Sequence, residues 1–344
     1  MLDQAFGFLQ HDLAIDLGTA NSLVYATGRG VVVDEPSVVA MIKGPGQSVG
    51  KVLAVGVEAK RMVGRTPGNI AAIRPLKDGV IADFATTEAM LRYFLQQGTG
   101  RRGLFSSPRI VVCIPFGITE VEKRALQDSA RSAGAREVFL VPEPLAAAIG
   151  AGLPVSDPVG SMIVDIGGGT AEVAVMSLGG IASSVSLRVA GDAMDEAIAL
   201  SIKRRFGCEI GERTAEEIKL NVGCAAPLRE IRTMTVKGRD IQTGSPRQFE
   251  YTSEDAADAL QECVHHVIEG IRKTLEQTPP DLAGDILRHG IVLAGGGALL
   301  RGLDEVLRDA TQLPVLVAED PLRCVVLGAG VVLEDADLLA RMAL

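Results

Sequence analysis

Runs and alternations of apolar residues divide the chain into short strands and one-sided helices. Leu13-Ala-Ile-Asp16 reads as a buried strand, followed by a Gly-Thr turn and a second strand around Ser22 to Tyr25, together a hairpin. Strand signal continues at Val31 to Val33 and Ser37 to Met41, and Met90, Leu91, Phe94 and Leu95 then recur at helical spacing. Arg109 to Ile114 forms an apolar run stopped by Pro115, and Glu120 to Ala133 predicts a helix closed by Gly134. A strand at Val138 to Val141 runs directly into a helix beginning near Pro144.

At Ser161-Met-Ile-Val-Asp165 the opening pattern returns: an apolar strand ending in Asp, a glycine turn with Thr, and a further strand from Glu172 to Met176. The spacing between Asp16 and Asp165 is that of a duplicated α/β lobe rather than a short-period solenoid. Strand Ile291-Val-Leu-Ala294, the turn Gly295-Gly296-Gly297 and a following helix complete the second lobe, and Cys324 to Leu333 returns to the first. The expected division is 1–148 with 318–344 for one lobe, holding a small subdomain near 33–68, and 149–317 for the other, with one near 190–250.

A chain of 344 residues is long enough for two hydrophobic cores. With 47% hydrophobic residues, 22% charged residues and 39 glycines it has the composition of an ordered globular protein. A net charge of −9 argues against a nucleic-acid partner, which demands a clustered surplus of Lys and Arg. The five cysteines are scattered without CxxC spacing, so the sequence suggests neither a zinc site nor a disulfide framework, and a reducing cytosol fits best. No apolar run reaches the roughly 18 to 20 residues that span a bilayer, and no basic signal-peptide region opens the chain.

The candidate chemistry lies in three glycine turns. Asp16-Leu17-Gly18-Thr19-Ala20-Asn21 and Asp165-Ile166-Gly167-Gly168-Gly169-Thr170 place backbone N–H groups where no Cβ obstructs an anion. The Asp ahead of each turn suits Mg²⁺, which keeps several waters and takes few carboxylates directly. Gly295-Gly296-Gly297 opens a helix whose N-terminal N–H groups favour a phosphate or a polar nucleotide edge. The stretch Gly44 to Lys51 is a poor P-loop, with Pro45 displacing the first glycine and Val52 replacing Ser/Thr, and no GxGxxG follows a strand.

These three turns resemble the two phosphate motifs and the adenosine motif of the actin, sugar-kinase and DnaK-chaperone superfamily. Within it the chain resembles the MreB family of bacterial actins, through Asp34-Glu-Pro-Ser-Val-Val39, Gly64-Arg-Thr-Pro-Gly68, Ile73 to Phe84 and Gly211 to Lys219. The resemblance implies an actin-like two-lobed fold of duplicated ribonuclease-H-like domains with a nucleotide cleft between them. It implies ATP and Mg²⁺ as ligands, with Asp16 and Asp165 positioning the metal through water. Gly18, Thr19, Ala20 and Asn21 would face the phosphates from one lobe and Gly167, Gly168, Gly169 and Thr170 from the other. Glu143 matches the family's catalytic glutamate, working with Asp16 and Asp165 on the attacking water; on residues alone it is equally a first-turn acid complementing a helix dipole. Glu216 and Lys219 would bracket the ribose and base, and Gly295, Gly296, Gly297 and Ala298 would complete the adenosine side. Phe116, Pro142, Ala171 and Ala190 depart from the family's usual residues and bear on the rate of hydrolysis more than on binding.

Leu2, Phe6 and Leu9 line one face of a short helix, and Arg101-Arg102-Gly103-Leu104-Phe105 sets two cations beside two apolar side chains, a pattern suited to an anionic membrane surface. The resemblance therefore implies a cytoplasmic, filament-forming ATPase at the inner face of the cytoplasmic membrane. Its implied partners are itself, the lipid surface, and membrane proteins of cell shape and cell-wall synthesis. The alternative is a non-polymerising ATPase of the same superfamily, of chaperone or small-molecule-kinase type.

Overall fold

The structure, a computed structural model, describes residues 12–42, 50–100 and 107–343. The membrane candidates Leu2, Phe6, Leu9, Leu104 and Phe105 lie outside these residues, as does most of the P-loop-like stretch. Two five-stranded sheets form the frame. Across the first run Glu137–Pro142, Arg109–Ile114, Leu13–Leu17, Asn21–Ala26 and Gly30–Pro36; across the second run Gly180–Leu187, Ala171–Ser177, Ser161–Ile166, Ile291–Ala294 and Val315–Val317. Numbered along the chain within its own half, each sheet has the strand order 3-2-1-4-5, antiparallel through the hairpins and parallel beyond them. The repeat legible in the sequence is thus a repeat of topology.

The hairpin registers decide which side chains reach the cleft. Leu13 pairs with Ala26 and Asp16 with Leu23 in the first, Ser161 with Met176 and Asp165 with Glu172 in the second. Because side chains alternate across a strand, the buried Leu13, Ile15 and Leu17 face one core while Ala14 joins another and Asp16 reaches the strand end at the cleft. One core lies inside each half, and a third is shared by both, drawing Ala14, Val111 and Val141 from the first sheet and Ile163, Ala174 and Ala294 from the second.

Helix Cys324–Glu334 packs against helix Glu143–Gly150 in that shared core. Their axes approach closely because Gly328 faces Ala146: a Cβ at Gly328 would sit 1.8 Å from the Ala146 carbonyl oxygen. Helix Glu120–Ala133 begins at a capping box, with the Thr119 hydroxyl accepting from the Glu122 amide and the Glu122 carboxylate accepting from the Thr119 amide, which satisfies two otherwise orphaned donors. The helix expected directly after Gly295-Gly296-Gly297 is instead a single 3₁₀ turn, Gly296–Leu299, and an α-helix begins only at Leu303. Consecutive glycines carry too little helix propensity to nucleate a longer helix there.

Candidate functional site

The two hairpin turns meet face to face. A Cβ placed on Gly168 would lie 2.6 Å from the Ala20 side chain, and one on Gly169 would lie 2.6 Å from the Thr19 hydroxyl. Only a residue without a side chain allows this approach, so the glycines serve the meeting of the two turns as well as access for an anion. Around them, Thr19 accepts a hydrogen bond from the Gly79 amide at 3.1 Å, and the Ser37 hydroxyl donates to the Gly18 carbonyl at 2.5 Å. Behind the second turn, the Gly191 and Asp192 amides at the start of helix Gly191–Phe206 donate to the Gly167 and Gly168 carbonyls at 3.1 and 2.8 Å. These bonds occupy the carbonyls, while Asn21 stays exposed and Gly167 and Gly168 part-exposed.

Gly295 belongs to the same place. Its strand runs parallel to the Asp165 strand with Ala294 opposite Asp165. The residue has φ of +77°, and a Cβ on it would sit 2.5 Å from the Asp165 carboxylate. Gly296 is exposed beside it, whereas Ala298 is buried in the core of the second half.

Beneath the turns lie four carboxyl groups: Asp16, Glu143, Asp165 and Glu172. Asp16 keeps partial access to the cleft, yet the surrounding protein desolvates it, and Asp165 and Asp34 add repulsion, so its pKa rises to about 8. Burial alone carries Asp165 to about 7. Glu143, only 9% exposed, is the first residue of helix Glu143–Gly150 and is pushed well above the usual carboxylate range by burial, then by Asp16, Glu172 and Asp165. Among the described residues, no Lys or Arg pairs with any of the four. So much uncompensated negative charge is costly unless protons or a cation neutralise it. Also among the described residues, no cluster of three or more His, Cys, Asp or Glu forms a protein-only metal cage. Two desolvated aspartates without such a cage are the donor set of a hydrated Mg²⁺, so the residues fit that ion.

Glu216 and Lys219, on helix Glu212–Val222, stand at the rim with partners already engaged. Lys60 reaches across from the first half to Glu216 at 2.8 Å, while Lys219 donates to the Gly191 carbonyl at 2.8 Å and pairs with Asp195 at 2.9 Å. They do not pair with each other. A second crossing joins Arg74 to Asp192 at 2.9 Å and to Glu212. Sequence reasoning passed over Lys60, Arg74, Asp192 and Glu172. For Glu172 a signal existed, since it is the one ionisable residue in strand Ala171–Ser177, whose other positions up to Met176 are apolar.

Two matching sheets, joined by a shared core and opening between two glycine turns over buried carboxylates, define an actin-like nucleotide-binding protein. A family model described as MreB/Mbl protein matches residues 10–341, and the chain belongs to that family. It is 54% identical to the cell shape-determining protein MreB of Escherichia coli over 338 residues, covering 98% of this chain and 97% of that one. It is 49% identical to the cell shape-determining protein Mbl of Bacillus subtilis over 97% of this chain and 98% of that one. The crystal structure of MreB5 of Spiroplasma citri bound to ADP superimposes with a TM-score of 0.88 at 37% identity, covering 94% of this chain and 96% of that one. A second MreB5 structure, bound to AMPPNP, gives 0.87. The MamK double helical filament, at 23% identity and a TM-score of 0.80, shares the fold.

Proposed function

We propose that the chain is a nucleotide-dependent bacterial actin homologue that binds ATP with Mg²⁺ between its two lobes, hydrolyses it slowly to ADP and phosphate, and polymerises into filaments. The observation that carries this reading is the convergence of three glycine turns and four desolvated carboxyl groups from both halves on one cleft. Nucleotide in the related MreB5 structures supports it. The lobes are 1–148 with 318–344, and 149–317, their small parts near 33–68 and 190–250 closing the cleft mouth.

In this reading the backbone amides of Gly18 to Asn21 and of Gly167 to Thr170 hold the phosphates, Gly295 to Ala298 line the adenosine side, and Glu216 and Lys219 bracket the ribose. Bound Mg²⁺ supplies charge neutralisation at the phosphate oxygens, held through water by Asp16 and Asp165. Glu143 accepts a proton from the attacking water as its oxygen bonds to the γ-phosphorus. The bridging P–O bond breaks with its electron pair leaving on the β-phosphate, and the proton later passes to solvent. Burial, with Asp16, Glu172 and Asp165 nearby, raises the Glu143 pKa, so its ionised carboxylate is a stronger proton acceptor than an ordinary one.

Leu2, Phe6, Leu9, Leu104 and Phe105 anchor the protein to the inner face of the cytoplasmic membrane in this reading. There its filaments guide membrane proteins of cell-wall synthesis and maintain rod shape, a reading whose cell-shape part is supported by the name of its relatives, cell shape-determining proteins. Phosphate release by the purified chain with Mg²⁺-ATP tests the enzymatic half. Glu143→Ala should lose about 100-fold or more in turnover, the scale of a general base, with ADP affinity retained; an unimpaired variant removes Glu143 from the chemistry.

A further inference from the structure

Lys60 reaches across the cleft from helix Val57–Lys60, a single turn too short to hold its shape in water alone. Three contacts fix it. Ala59 is buried with Val38 and Ala40 in a small core of the first half. The Glu35 carboxylate accepts from the Val57 amide at 3.1 Å, passing over Gly56, where a Cβ would leave it no room. The Tyr93 hydroxyl donates to the other oxygen of Glu35 at 3.2 Å. The ammonium at the end of this turn therefore starts from a fixed place, and it donates to Glu216 Oε1 at 2.8 Å.

Glu216 is held as firmly from its own side, because Ala215, Ile218 and Val222 bury helix Glu212–Val222 in the second half. Lys219, one turn on, donates to the Gly191 carbonyl, and the Gly191 amide braces the Gly167 carbonyl of the second phosphate turn. Glu212 and Glu216 lie four residues apart on one helical face, where like charges repel. Arg74 meets the first and Lys60 the second, both from the opposite half. A lysine binds a carboxylate as a point donor, where an arginine fork would occupy both oxygens. Oε2 of Glu216 accordingly accepts no hydrogen bond among the described residues, in a side chain that is 25% exposed. One oxygen is held and the other is left open to a ligand.

We infer that Lys60 is a positioning residue for ribose recognition: it pins Glu216 so that the free Oε2 accepts a hydrogen bond from a ribose hydroxyl, and the first half thereby helps select a ribonucleotide without touching it. This rests on the proposed contact of Glu216 with the ribose. A mobile glutamate gives up rotamer freedom when a ligand engages it, which weakens binding by about 3- to 10-fold for one such side chain. Lys60 removes that cost beforehand. The gain is confined to nucleotides that carry the hydroxyl, since a ligand without it makes no use of a pinned carboxylate. It is also confined to the closed cleft, because Lys60 and Glu216 belong to opposite halves.

The test measures the affinities of ADP, 2′-deoxy-ADP and 3′-deoxy-ADP, with Mg²⁺, by calorimetry on wild type, Lys60→Met, Glu216→Gln and the double variant. Wild type should prefer ADP over at least one deoxy analogue by about 10-fold or more, the scale of a hydrogen bond to a charged group. Lys60→Met should narrow that preference by about 3- to 10-fold. Whatever the lost ion pair does to closure weakens all three nucleotides alike and cancels in the ratio. Glu216→Gln should narrow the preference too, and Lys60→Met should change nothing further in that background, as expected of two residues acting through one contact. A Lys60→Met protein that keeps the wild-type preference, whatever its overall affinity, overturns the inference alone, because Lys60 is then only an ionic tie. A wider preference in Lys60→Met overturns it as well, since Lys60 then competes with the ribose for Glu216. A Glu216→Gln protein that keeps the full preference, or a wild type that binds ADP and both analogues equally, overturns the ribose role of Glu216 and this inference with it.

Discussion

Arg74 offers a way to weigh the ionic crossings of the cleft. Its guanidinium lies 2.9 Å from Asp192 and also bridges to Glu212, with side-chain exposures of 27% for Arg74, 34% for Asp192 and 50% for Glu212. Both carboxylates belong to the other half, and Asp192 also carries one of the two amides that brace the Gly167–Gly168 carbonyls. Arg74→Met keeps the aliphatic stem and removes the charge. Exposed ion pairs contribute roughly 0.2 to 1 kcal/mol each, and two contacts sharing one rigid fork in a partly buried place sum to about 1.5 kcal/mol. That is about a tenfold change in the closed-to-open ratio. If the cleft must open for nucleotide to leave, ADP dissociation followed by stopped-flow fluorescence should accelerate about tenfold at low salt. The gap between wild type and variant should narrow at about 0.5 M salt, where screening shortens to a few ångströms. Dissociation within twofold of wild type at both salts would refute the view that these pairs hold the cleft closed.

Other consequences arise from the same geometry. Gly295→Ala forces a side chain into φ of +77° and sets its Cβ 2.4 Å from the Ile166 carbonyl oxygen. A loss of about 2 kcal/mol or more in urea denaturation and of ADP binding by calorimetry is expected, and a variant like wild type in both would place Gly295 outside the site. In nucleotide-free, Mg²⁺-free protein, Asp16 at about 8 and Asp165 and Glu172 at about 7 stand above their unfolded values, so the folded state binds more protons. Their contribution is therefore full below about pH 4 and is lost as pH rises through 7 to 8, one such carboxyl removing about 2 kcal/mol between about pH 5.5 and 7. The thermal midpoint should fall over that interval and the fall should flatten with Mg²⁺-ADP; a midpoint rising from pH 5.5 to 8 contradicts the charge assignment.

Much of the framework was legible because its signals are local. The hairpins around Asp16 and Asp165 announce themselves by apolar runs broken at glycine, and the helix Glu120–Ala133 by its Thr cap, its acidic first turn and Gly134. Duplication showed as a repeated strand-turn-strand pattern, and the structure renders it as one strand order used twice. The ionic crossings were not legible, since Lys60 and Glu216, or Arg74 and Asp192, are brought together only by the docking of the two halves. The turn at Gly295 read as a helix start because glycine followed by Ala-Leu-Leu gives no sign that the chain makes one tight turn and pauses until Leu303. Glu172 was visible as a lone acid in a buried strand, but only the register with Asp165 and Ser186 gives that oddity a direction.

The most direct test of nucleotide-driven assembly is sedimentation of the purified chain with Mg²⁺-ATP against Asp165→Ala, with pellets inspected by negative-stain microscopy. Wild type pelleting as ordered filaments only with nucleotide, while Asp165→Ala stays in the supernatant and binds no nucleotide, is the predicted result. A wild type that binds Mg²⁺-ATP and remains monomeric at every concentration, or filaments formed equally well by Asp165→Ala, would contradict the account.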